Sequence, residues 1–113
     1  MSALKKYNKK EKEKSSNPKW TYVLTLSGSP NESDWRISII EADTLLEETL
    51  KERGLVGNTM AELLEEAKSN GYHGIQSAWD AHLVRNRIAH EGQSFPVTQI
   101  EGRRVIKLYQ NIF

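Results

Sequence analysis

Apolar side chains recur at helical spacing in five stretches of this chain, separated by glycine, proline and asparagine. The clearest stretch runs from Ser33 to Arg53. There Trp35, Ile39, Ala42, Leu46 and Leu50 repeat every three or four residues, and Ile40 and Leu45 widen the stripe. Asn31 or Ser33 can cap its start, and Asp34 suits the positive end of the helix dipole. Gly54, with Leu55 behind it, is the expected left-handed stop. Before it, Pro18 to Leu26 carries Trp20, Val23 and Leu24 at helical spacing. The β-branched Thr21, Val23 and Thr25 would also suit a strand, but a lone strand has no partner, so a short helix is expected. Ser27 to Asn31 then breaks the chain.

After Gly54 the pattern resumes behind Thr59-Met60-Ala61-Glu62, a capping box. The short helix it opens shows Met60, Leu63, Leu64 and Ala67 on one face and closes at Asn70-Gly71. Ile75 to about Glu91 predicts a fourth helix, with Ile75, Ala78, Trp79 and Leu83 inward and Gly92 as its end. A second box, Thr98 to Glu101, opens the last helix, with Val105, Leu108, Tyr109 and Ile112 as its buried stripe. Together these predict an all-α fold, an antiparallel bundle of four to five helices over residues 20–113. Its core is expected to hold Trp35, Ile39, Leu46, Leu50, Leu63, Leu64, Trp79, Leu83, Val105, Leu108 and Tyr109.

Residues 1–19 do not join this pattern. Seven lysines stand there against Glu11 and Glu13 with little to bury, which predicts a flexible basic tail. No apolar run approaches the ~18 residues of a membrane span, and no signal-peptide core follows the lysines. A cytoplasmic protein is expected, or one on the cytoplasmic face of a membrane, because a lysine-rich start also suits the segment after an anchor. The 113 residues suffice for one domain, and the lack of cysteine excludes a disulfide scaffold and a Cys-ligated zinc site.

A net charge of +1 conceals an uneven distribution. Residues 32–66 carry ten acids against Arg36, Lys51 and Arg53, read as solvating helix faces. Residues 82–107 are basic, with Arg85, Arg87, Arg103, Arg104 and Lys107 against Glu91 and Glu101, the side a polyanion such as RNA would prefer. The sequence has no GxGxxG, no Walker loop and no Gly-x-Ser-x-Gly elbow, and nothing in it implies a cofactor. His73, His82 and His90 lack the partner spacing of a zinc site.

The densest chemistry lies in Arg85-Asn86-Arg87-Ile88-Ala89-His90. Arginine offers a planar fork of donors that matches phosphate oxygens, and histidine moves protons near neutral pH. Together they suit RNA cleavage without a metal, with the ribose 2′-hydroxyl attacking the adjacent phosphate. On an ideal helix Arg85 and His90 stand roughly 140° apart around the axis and about 7.5 Å apart along it, so one helix alone makes a poor site. Two copies across a two-fold axis would bring both pairs into one groove. Both residues are placed off the apolar stripe.

This segment resembles the signature of the HEPN superfamily (higher eukaryotes and prokaryotes nucleotide-binding domains), an Arg followed after four to six residues by His, usually with a polar residue behind the Arg. Asn86 fills that place. The resemblance implies an α-helical bundle dimerising through the motif helix and a metal-independent endoribonuclease of the kind found in toxins and defence systems. It implies Arg85 and His90 as catalytic residues, with Asn86 orienting one of them. Arg87, Arg103 and Arg104 are the candidate RNA-binding cations. HEPN toxins paired with a nucleotidyltransferase antitoxin often carry Tyr two residues after the His. Gly92 stands there, so the resemblance does not extend to regulation by modification of that tyrosine, and it identifies no particular cognate antitoxin. The competing account is a non-catalytic helical dimerisation or nucleotide-binding module in which the same residues only bind phosphate or brace the interface. The plainest account makes Arg85 a surface cation near a helix C-terminus and His90 a C-terminal cap. His82, outside the signature, is read as packed or solvent-facing, and Trp20, Trp35 and Trp79 as core anchors.

Overall fold

The computed structural model of the chain describes residues 17–113, and most of the lysine-rich leader therefore lies outside the described residues. These residues form five α-helices and no strand: α1 (Pro18–Ser27), α2 (Glu32–Glu52), α3 (Met60–Ser69), α4 (Ile75–Glu91) and α5 (Gln99–Gln110). A single 3-10 turn, Gly92–Ser94, follows α4. The expected helices are all present with ends within a residue or two, and the all-α expectation holds.

Local chemistry accounts for the ends. Asn17 caps α1 through a 2.9 Å bond from the Lys19 N–H, with Pro18 in the first turn. The α2 stop follows the Schellman pattern: Gly54 N–H donates to Lys51 O at 3.0 Å and Leu55 N–H to Leu50 O at 3.1 Å. Gly54 adopts φ 90°, which a side chain would resist. Thr59 and Thr98 each accept from the backbone N–H three residues on, both at 3.1 Å. The acidic halves of the two boxes differ from expectation: Glu62 accepts from the Thr59 hydroxyl and Glu101 accepts from Arg104.

The longest helix, α2, packs against all four others. Its Ile39, Ala42, Leu46 and Leu50 are fully enclosed, together with Leu63, Leu64, Val105 and Tyr109. A fully buried side chain of this size contributes about 1.5–3 kcal/mol, so this shared core is the main stabilising term. The α1–α2 turn is tied down by Trp35 Nε1 and Gln99 Nε2, both donating to Ser29 O, at 2.6 and 3.0 Å. Gly74, φ 78°, starts α4 against the end of α5. A Cβ there would stand 2.6 Å from Asn111 O, so only glycine lets the two ends meet.

Three expectations are corrected. Leu83 is 55% exposed and Leu24 43% exposed, whereas the stripes placed both inward. The buried residues of α4 are Ala78, as expected, with Ala81 and Ile88, while Ile75 and Trp79 pack against the core from its margin. Ala81 follows Ala78 by three residues and Ile88 follows Ala81 by seven, and Arg85 falls in register between the last two, four after Ala81 and three before Ile88. Arg85 therefore sits on the core-facing stripe, not off it. Of the remaining expected core residues, Trp35, Trp79 and Leu108 are half-buried and packed against the core.

Candidate functional site

The register of α4 turns Arg85 toward α2, where it meets an acid that composition assigned to a solvated face. Asp43 is buried, its side chain 5% exposed. Its Oδ1 accepts from the Tyr109 hydroxyl of α5 at 2.8 Å and lies 3.0 Å from His82 Nδ1 of α4. Its Oδ2 lies 3.8 Å from Arg85 Nε. One carboxylate thus links three helices. Burial, then the Asp43 charge, pushes the Tyr109 phenol well above its ordinary range, so it stays a donor.

The contacts continue along α4. Asn86 Nδ2 stands 3.4 Å from His82 Nε2, and Arg85 Nη1 donates to Asn86 Oδ1 at 3.1 Å. These residues border a cleft of about 310 Å³ between α2, the start of α3 and α4, lined also by Thr59 and Glu47. Glu47 is held by Lys51 at 3.0 Å. The Arg85 side chain is 37% exposed, with its ion pair at the long end of the range. Guanidinium donors therefore remain for a ligand in the cleft, whereas Asp43 is occupied by its neighbours.

Each expected site residue can now be placed. Arg85 and Asn86 share the cleft; His90 is exposed and does not line it. Arg87 is bound to Glu91 at 2.7 and 3.3 Å and stacks over Phe95, 4.4 Å from the ring centroid. Arg104 is bound to Glu101 at 2.5 Å, and Arg103 is exposed. Arg87 and Arg104 border a second groove, beside Leu83, Phe95 and Val97, not the Asp43 cleft.

Asp43, His82 and Tyr109 were missed as polar partners. Tyr109 was recognised only for its ring, and His82 only as a packed or exposed residue. The sequence held one usable signal. Asp43 lies four residues before Glu47 and one after Ala42, inside the apolar stripe of α2, where an unpaired acid would be costly.

A second buried charge lies on the same helix. Arg36 donates to Gly92 O at 2.9 Å, to Glu32 at 3.0 Å and to Phe95 O. Its Nε is buried without a hydrogen-bond partner. Among the described residues no group of three or more His, Asp or Glu side chains is placed to hold a metal ion. No helix among them is long and apolar enough to cross a membrane. Comparison with protein-family models, curated proteins and solved structures finds no match to this chain.

Proposed function

We propose that the chain is a metal-independent endoribonuclease of HEPN type that works as a homodimer through α4. The observation that carries this reading is a partly exposed Arg85, oriented by Asn86 at an open cleft, with an exposed His90 later on the same helix. Arg85 binds the scissile phosphate and stabilises the charge that builds on it. His90 transfers the proton of the 2′-hydroxyl or of the leaving 5′-oxygen. Because His90 does not line its own protomer's cleft, the second copy supplies it across a two-fold axis. The products carry a 2′,3′-cyclic phosphate and a 5′-hydroxyl, as follows from attack by the 2′-hydroxyl. Arg87, Arg103 and Arg104 contribute cationic surface for the flanking RNA once their carboxylate partners exchange for phosphates.

The test is cleavage of labelled single-stranded RNA in EDTA. Arg85→Ala is expected to lower the rate about 10²–10³-fold. His90→Ala is expected to lower it about 10²–10⁴-fold. Lys68→Ala, on an exposed turn of α3, should act like the wild type. Mixing the two inactive variants should restore part of the activity, because one heterodimer groove then has both wild-type groups. Activity surviving in His90→Ala refutes the assigned mechanism. The separation of His90 from the cleft also suits a non-catalytic module that grips phosphate with Arg85 alone. A wild type inert on varied RNAs that still binds nucleotide establishes that module instead.

A further inference from the structure

The contacts around Asp43 have a direction. The Tyr109 hydroxyl donates to Asp43, and so must His82 Nδ1, because the facing atom is a carboxylate oxygen. A neutral imidazole with its proton on Nδ1 has a lone pair on Nε2, and Asn86 Nδ2 stands against it at 3.4 Å. The Asn86 amide is then turned so that its Oδ1 accepts from Arg85 Nη1 at 3.1 Å. Every donor in this series meets an acceptor in only one arrangement: one tautomer of His82 and one orientation of Asn86.

We infer that His82 is a positioning residue of the cleft: held by Asp43 as the neutral Nδ1–H tautomer, it fixes the Asn86 amide, and through it the Arg85 guanidinium. Its place in the function rests on the reading of Arg85 as the phosphate-binding group. A second proton, on Nε2, sets N–H against N–H. The amide must turn to present Oδ1 to the ring, and its NH₂ then faces the Arg85 donors. Arg85 is thereby released from Asn86 when His82 becomes charged. The groups facing His82 are Asp43 and Glu47 from α2, Arg85 on its own helix and, through Asp43, Tyr109 from α5. The start of α3 brings Thr59, Met60 and Ala61 to the cleft and no charge.

The experiment is nitrogen-15 NMR of the imidazole and arginine side chains in the full chain, titrated over about pH 5–8, the range in which histidine ordinarily changes charge. Before it takes up a second proton, His82 should give the pattern of a single Nδ1–H tautomer. The Arg85 Nε–H signal should be rigid. It should become mobile in His82→Ala, and in the wild type once His82 carries its second proton. Asn86→Ala breaks the series one step later with the contacts of Asp43 to Tyr109 and His82 intact. It should release Arg85 equally, so a folding defect in His82→Ala does not decide the matter. His82→Gln keeps an acceptor for Asn86 and does not titrate, and it should hold Arg85 at acid pH as well. An Nε2–H tautomer, an Arg85 as rigid in the alanine variants as in the wild type, or a glutamine variant as mobile as the alanine one would each overturn the assignment. RNA cleavage by the same proteins separates this inference from the ribonuclease reading. With an active wild type, kcat/KM should fall in His82→Ala and recover in His82→Gln. An inert wild type defeats the ribonuclease reading, and the spectra still decide the positioning.

Discussion

Arg36 and Asp43 are seven residues apart on α2, about two helical turns, and face the same side of the helix. Both are buried, yet their surroundings differ. Arg36 is closed in by the carbonyls of Gly92 and Phe95 and by Glu32, and it braces the segment after α4. Asp43 is also occupied, but by groups that go on to border an open cleft: His82 directly, Arg85 at longer range and Asn86 beyond them. A buried charge whose partners are backbone carbonyls fixes a loop. A buried charge whose partners are side chains with capacity to spare can orient those side chains toward a ligand. The two centres together hold α4 at both ends of its motif, one from the Asp43 side and one past its C-terminus.

Substitutions can break this contrast. Asp43→Ala is expected to be the most damaging, because it leaves the Tyr109 hydroxyl, the His82 N–H and the Arg85 charge without their acceptor. A cost of about 3–5 kcal/mol should appear in urea denaturation. A cost below about 1 kcal/mol would mean that Asp43 does not brace the three helices. Arg36→Ala should cost about 2–4 kcal/mol through the two carbonyls it orphans. Hydrogen exchange should then rise around residues 92–97 while the cleft residues keep their protection. Equal loss of protection at both places would merge the two centres into one.

Tyr109→Phe is milder, about 1–3 kcal/mol, because Asp43 keeps its other partners. It also tests the raised phenol. The folded state holds the Tyr109 proton above the ordinary tyrosine value near 10, while the unfolded chain releases it there. The unfolded state then binds fewer protons, so Tyr109's contribution is complete below about pH 10 and declines above it, by about 1.4 kcal/mol per pH unit. Denaturation measured from pH 8 to 11 should show this decline in the wild type and a shallower one in Tyr109→Phe. The smallest effect belongs to His90→Ala, expected within about 0.5 kcal/mol of the wild type in stability because the residue is exposed. A larger loss would place His90 in a structural contact.

Much of this was legible in the sequence, for identifiable reasons. The five helices follow from apolar spacing, from Thr59 and Thr98 at their starts and from Gly54 and Gly92 at their ends, all set within a few neighbouring residues. Arg85, Asn86 and His90 were visible as a cluster because they are close in the chain. The inward face of α4 was legible only in part. Ala78 was placed inward, but Ala81 carries little hydrophobic weight, so the larger Leu83 was taken into the stripe although it is exposed and Ala81 is buried. With Leu83 turned outward, Arg85 moved from an assumed surface position to the edge of the core.

What the sequence by itself determined is therefore the helical content, the breaks and the presence of an arginine and a histidine on one helix. Only the tertiary structure decided which groups share a site. Asp43, His82 and Tyr109 are separated by 39 and 66 residues across the contacts they make. No local propensity encodes such a meeting. It arises when the packing of α2, α4 and α5 removes water from a carboxylate, which must then find its donors within the protein.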